Sequence, residues 1–183
     1  MGTGRGTIRF ARRCAQPGSR RADGRESAGP PAGPVVSDAL FDQLLNSQQL
    51  VIAMLRIAAD DPSARVGAWD LRDIAAHLAA TERDCYVPRI RSIAAGQNPT
   101  FDLFTNDGSD FSGIHLDDAL DEWIATRLML IGYVKTLDGE QRALIGHHER
   151  YGEVTVDRYL EIALVHDQDH LRGLEKIAGE LTR

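Results

Sequence analysis

Residues 156–181, VDRYLEIALVHDQDHLRGLEKIAGEL, decide how this chain folds. Tyr159, Ile162, Ala163, Leu174, Ile177 and Leu181 recur at helical spacing, and His166 and His170 lie within the same stripe. Residues four apart share one helix face, so the spacing predicts an amphipathic helix over 156–181 with Thr155 as its N-cap. Imidazoles in the middle of an apolar stripe need partners, because an unpaired buried polar group costs roughly 1–3 kcal/mol. A divalent cation would satisfy both. A third histidine, His77 in WDLRDIAAHL (69–78), sits in a similar setting on another segment and is the candidate third ligand. Three protein ligands leave at least one coordination position open, as catalytic sites require. The bland alternative is a set of core histidines bonded to carbonyls, and HxxxH spacing also arises by chance.

Working back from this helix, residues 138–154 read as a connector with a short turn around Glu140–Leu144. His147 and His148 fall in it and are expected to face solvent. A third helix starts near His115–Asp117 and runs to about Leu137. Leu120, Trp123, Ile124, Leu128, Ile131 and Val134 form its core face, with Arg127 at the centre. A guanidinium there needs a carboxylate or an anionic ligand. His115 reads as a helix-start residue. Residues 97–114 are too long for a minimal bundle turn and read as a lid, a pocket wall or a mobile insert; Phe101, Phe104 and Phe111 indicate that part of it packs down.

A second helix is predicted over 71–95, capped by Asp70 and ended by Gly96. Ile74, Leu78 and Cys85 mark its face, with His77 and Thr81 beside them. Pro88 removes a backbone hydrogen bond to Asp84 and should kink it. The first helix spans about 38–59 with Ser37 as N-cap. Leu40, Phe41, Leu44, Leu45, Ile52 and Leu55 give its stripe, and Gln48 reads as the stripe's edge, a polar pocket being the alternative. No segment reads as a strand. The expected fold is all-α, a four-helix bundle over residues 37–183, with ligand sites built from inward-facing side chains on neighbouring helices.

The chain has 183 residues, 43% hydrophobic and 26% charged, which fits one domain with a tail. Residues 1–36 hold seven arginines against Asp23 and Glu26, a net +5, and are rich in Gly and Pro. They are expected to be a disordered extension. The remainder carries 14 basic and 25 acidic residues, a net −11, which argues against nonspecific nucleic-acid binding by the folded part, and no specific nucleic-acid partner is expected. No apolar run reaches the roughly 18 residues of a membrane span, and the arginine-rich segment lacks the apolar core of a secretory signal. Cys14 and Cys85 are the only cysteines and read as free thiols of a reducing cytoplasm. There is no phosphate-cradling Gly-rich motif and no Cys-rich zinc signature. HDQDH at 166–170 is not the HExxH of a metallopeptidase.

Three stretches, AWDLRDIAAHLAATER (68–83), PRIRSIAAGQNPTF (88–101) and YGEVTVDRYLEIALVHDQDHLRGLEKI (151–177), resemble the DinB/YfiT-like superfamily, and most of all its DinB_2-type branch. The resemblance covers roughly residues 37–181. It implies a four-helix bundle with a divalent metal, often zinc or nickel, held by His77, His166 and His170. Glu82 and Arg127 match family positions, and the two are expected to pair inside the bundle. Gly173 stands where the family usually has Gln. Asp167 and Asp169 flank the histidines. Asp169 is the candidate carboxylate to contact a ligand imidazole, a solvated surface position being the alternative for both. Characterised relatives include thiol S-transferases and isomerases that use a low-molecular-weight thiol such as mycothiol, bacillithiol or glutathione. The resemblance therefore implies a metal-activated thiolate attacking an electrophilic small molecule. The competing readings are a metal-dependent hydrolase and a bundle that binds metal or a small molecule without turnover. A homodimer is expected from the behaviour of such bundles.

Overall fold

The computed structural model describes residues 38–61 and 63–181. The expected tail over 1–36, Cys14 and the Ser37 cap lie outside the described residues. Four long helical stretches account for most of the rest. They are α1 (Asp38–Ala58), the run α2 (Leu71–Thr81) to α3 (Val87–Ala94), α4 (Leu116–Lys135) and α6 (Val156–Leu181), with the short α5 at Gly139–Ala143. α1 packs on α6 and α2 packs on α4. Among the described residues, no helix is long and apolar enough to cross a membrane.

The caps agree with the sequence. Asp70 accepts from the Asp73 backbone N–H at 2.8 Å and Asp73 reciprocates, a capping box that fixes the start of α2. Thr155 Oγ1 accepts from the Arg158 N–H at 3.2 Å at the start of α6. Pro88 acts differently from the expected kink. The turn before it, Glu82–Tyr86, is π-helical, and the Val87 N–H reaches back to the Glu82 carbonyl. Pro88 has no N–H to give Asp84, and a wider turn absorbs the missing bond. The inserted residue turns Glu82, Cys85 and Tyr86 inward.

The helical bundle is as expected, but the expectation that no segment forms a strand is corrected. Among the described residues five short strands occur: β1 (Arg65–Val66), β2 (Trp69–Asp70), β3 (Thr100–Phe101), β4 (Gly146–His148) and β5 (Gly152–Val154). β1 and β2 form an antiparallel hairpin that leads directly into α2, turning at Gly67 with φ 63°. β4 is central to a second sheet, parallel to β3 and antiparallel to β5. A Cβ on Gly146 would stand 3.1 Å from Ile93 and 3.2 Å from both Phe101 and Pro99, so any larger residue would make these three side chains give way where β4 meets α3 and β3. The sheet ties the linker after α3 to the connector before α6. The Phe111 side chain packs into the core as expected.

Among the described residues, apolar packing falls into two clusters. One gathers Val51, Leu55, Ile74, Leu78, Leu120, Trp123 and Leu174. The other gathers Phe41, Leu44, Ile90, Leu130, Val134, Tyr159 and Leu160. Between them every helical stretch buries polar side chains, among them Gln48 from α1, Glu82 from the π turn, Arg127 from α4 and Asp167 from α6. Gln48 is therefore not at a stripe's edge; its Nε2 donates to the Trp123 carbonyl at 3.0 Å. Leu128, expected in the core face of α4, is 54% exposed, because that face is centred on Trp123, Arg127, Leu130 and Val134 instead.

Candidate metal centre

The capped start of α2 and its alanine-rich turn put His77 against α6, where only 7% of it is exposed. His166 and His170, one turn apart on α6, are half-buried. His166 Nε2 lies 3.1 Å from His77 Nε2 and 3.2 Å from His170 Nε2. One nitrogen from each ring falls within 4.8 Å of the others. Trp69, at the end of the β1–β2 hairpin, packs edge-on to the His77 ring at 4.7 Å and lies over His170 at 6.5 Å between centroids. Tyr86 from the π turn stands edge-on to His166 at 6.1 Å.

Protons alone satisfy this arrangement poorly. A neutral imidazole nitrogen carries either a hydrogen or one lone pair, so His166 Nε2 can serve one of its two short contacts well, not both. Burial lowers the basicity of all three rings. His77 is pulled down by desolvation against the opposing effects of Asp107 and Asn106. His166 is driven well below the ordinary histidine value by burial, then by His170, His77 and Arg127. His170 is pushed down to about 3 by burial and by His77. Three neutral rings near pH 7 present three lone pairs to one point. Nitrogens about 2.0–2.1 Å from a tetrahedral zinc stand about 3.3 Å apart, close to the two short separations here. The donor set fits a divalent cation of the borderline class that imidazole prefers, with zinc and nickel both suited to it.

Beneath the histidines lies a charged network. Arg127 donates from Nε to Glu82 Oε1 at 2.5 Å and from Nη2 to Glu82 Oε2 at 2.6 Å. It also donates from Nη1 and Nη2 to the Asp167 carboxylate at 2.9 and 3.3 Å, and from Nη1 to the Leu44 carbonyl at 3.1 Å. Trp123 Nε1 adds a bond to Glu82 at 2.8 Å. The three charged side chains are each 1% exposed. Burial by itself would lower the Arg127 guanidinium, but the two carboxylates hold it above its ordinary value. Burial pushes Asp167 up to about 6 against the pull of Arg127. The Glu82–Arg127 pair is present as the family pattern implied, but the second carboxylate is Asp167, read from sequence as a solvated or ligand-flanking position. Its signal was available: Leu160, Ala163, Asp167 and Leu174 share the inward stripe of α6. Asp169 is half-exposed and engaged by Arg172 on the helix surface.

His148 is corrected too. It is buried in β4, where its Nδ1 accepts from the Arg150 N–H at 3.0 Å, because the β3–β4–β5 sheet covers it. His147 is half-buried. His115 stands at the N-cap of α4 without a side-chain bond. Gly173 lies where α6 meets the first hairpin, and a Cβ there would stand 3.3 Å from Val66. Burial pushes the Cys85 thiol up to about 11, which removes it as an activated nucleophile. A residue that sequence reasoning passed over is Asp107 in the long linker, whose Oδ1 lies 3.8 Å from His77 Nδ1. A cleft of about 360 Å³ opens there, lined by Trp69, Arg72, Asp107 and Phe111 among others.

A family model described as the DinB superfamily matches residues 63–174, more than half of the chain. The chain belongs to the DinB superfamily. All three histidines and the Glu82–Arg127–Asp167 network lie inside the matched segment, while α1 lies before it. Among solved structures, this DinB-superfamily chain is similar to YfiT from Bacillus subtilis, described as a probable metal-dependent hydrolase with an unusual four-helix bundle topology. The two share 17% identity over 81% of this chain and 91% of that one, with a TM-score of 0.64, a likeness of fold. No curated protein matches the sequence.

Proposed function

We propose that this DinB-superfamily protein is a metal-dependent enzyme whose His77, His166 and His170 hold one divalent cation, zinc or nickel. Its reaction would be the transfer of a low-molecular-weight thiol, such as mycothiol or bacillithiol, to an electrophilic small molecule. The observation that carries the metal reading is the meeting of one ring nitrogen from each of three histidines within 4.8 Å of one another. A bound cation would supply a thiol deprotonated at neutral pH or, by the same chemistry, an activated water. The chain's own contributions are positional. Burial keeps the three rings neutral, so their lone pairs stay available near pH 7. Trp69 walls two of the rings and also borders the cleft beside Arg72 and Asp107. The Arg127 network fixes α4, α6 and the π turn around the site without presenting a free charge to it.

Hydrolysis with water in place of the thiol is the second reading, and the likeness to YfiT, a probable metal-dependent hydrolase, favours it. One assay separates the two. The purified protein, analysed for metal, is mixed with an electrophile, with and without each thiol, and with and without a chelator. Thiol-dependent, chelator-sensitive conjugation is the expected outcome. Chelator-sensitive ester or amide cleavage without thiol would replace transferase with hydrolase. Bound metal with neither activity would reduce the site to a binding or structural one. A homodimer in the cytoplasm remains the working expectation for its context, checked by light scattering and fractionation.

A further inference from the structure

Among the described residues, four buried side-chain polar atoms lack a hydrogen-bond partner, and two of them are neighbours of one ring: His77 Nδ1 and Asn106 Oδ1. Both lie where the linker between α3 and α4 crosses α2. Asn106 fastens the linker there, its Nδ2 donating to the His77 carbonyl and to Thr81 Oγ1, each at 3.3 Å. The next residue, Asp107, places Oδ1 3.8 Å from His77 Nδ1, beyond hydrogen-bond reach. Its side chain is 69% exposed, and among the described residues no donor to its carboxylate is found.

Ligation through Nε2 settles the tautomer of His77. With its Nε2 lone pair committed to a cation, the neutral ring must carry its hydrogen on Nδ1. That hydrogen is buried and needs an acceptor, and ligating histidines usually give it to a carboxylate, carbonyl or water. A movement of about 1 Å brings a carboxylate from 3.8 Å to charge-assisted hydrogen-bond distance. An exposed side chain in a turn, beside Gly108, can make that movement cheaply.

We propose that Asp107 is a positioning residue of the metal centre: on cation binding its carboxylate accepts the His77 Nδ1 hydrogen, and Asn106 holds the linker in place for it. The long linker thereby becomes part of the site, and its residues 106–107 tighten onto α2 when the cation is bound. The inference rests on the metal reading above. Asn106 Oδ1 is the competing acceptor, already near enough to the ring to favour its charged form though not in hydrogen-bond geometry.

The test measures affinity for Zn²⁺ and for Ni²⁺ on the full chain, by competition with a chromophoric chelator, for wild type, Asp107→Asn, Asp107→Ala and Asp110→Asn. Asp110 lines the same cleft but caps the Ser112 N–H. Both Asp107 variants are expected to weaken binding by about 10- to 100-fold. Their metal-free melting temperatures should stay close to the wild-type value, since the exposed carboxylate is beyond hydrogen-bond reach of the ring in the free structure. Asp110→Asn should bind as wild type does. In the zinc-loaded, ¹⁵N-histidine-labelled protein, a slowly exchanging Nδ1–H of His77 is expected and should exchange faster in Asp107→Ala. Wild type that binds metal, with Asp107→Ala within twofold of it, overturns this assignment and leaves the metal reading standing. Unchanged Asp107→Ala with a weakened Asn106→Ala hands the role to Asn106 and equally overturns it. Wild type that takes up neither ion overturns both.

Discussion

His166 Nε2 lies 3.1 and 3.2 Å from two neighbouring ring nitrogens, and without a cation it can bond well with one of them. The three rings stay neutral because burial opposes their charging, and this has a consequence for metal-free protein. The unfolded chain takes up protons at these histidines near pH 6.5, whereas the folded one resists until much lower, about 3 for His170. Over that window the unfolded state binds more protons, so the stability these groups contribute is present above about pH 6.5 and is lost as pH falls toward 3. Asp167, raised to about 6, acts with the opposite sign between the ordinary carboxylate range and 6, but it is one group against three. The metal-free melting temperature is expected to drop between pH 7.5 and 5.0, and to drop less in His170→Leu. Equal slopes in the two proteins would show that His170 titrates in the folded state as it does in the unfolded one.

At the scale of elements, the long helices were legible because their apolar residues repeat at 3.6-residue spacing over 20 positions or more. Asp70 and Thr155 gave the starts of two of them. The strands were not legible: two or three residues are shorter than any period, and β4 is Gly-His-His, with no β-branched residue. Its place depends on long-range space, not on local preference. Gly146→Ala is therefore expected to cost about 1–3 kcal/mol in denaturant unfolding, since its Cβ meets three neighbours at 3.1–3.2 Å. A cost below about 0.5 kcal/mol would mean that β4 can move off α3 freely. The π turn was half legible. Pro88 announced a fault in the helix, but whether a kink or an inserted residue absorbs it depends on what must face inward, here Glu82 and Tyr86.

Across the whole molecule, the polar layer between two apolar clusters explains both what the sequence disclosed and what it concealed. His77, His166 and His170 stood out as imidazoles on greasy faces. Gln48 and Asp167 follow the same spacing rule, at four residues from Leu44 and Ala163, but a polar residue on a stripe reads as its edge until its partner is known. Arg127 needed a carboxylate, and the sequence alone could not show that it takes two. Removing one member of such a network leaves a buried charge uncompensated, so Arg127→Leu is expected to cost about 3–5 kcal/mol. Glu82→Leu added to Arg127→Leu should cost clearly less than the sum of the single changes, with Asp167 still unpaired in the double variant. Additive losses in urea unfolding would show that the 2.5 and 2.6 Å contacts do not couple energetically.

The most direct measurement is anomalous diffraction from crystals of the zinc- or nickel-loaded protein, recorded on both sides of the metal's absorption edge. One peak is expected, bonded at about 2.0–2.1 Å to a ring nitrogen of each of His77, His166 and His170. A peak elsewhere, or one from which the His77 ring is turned away, would contradict the claim that α2 and α6 were folded together around a single cation.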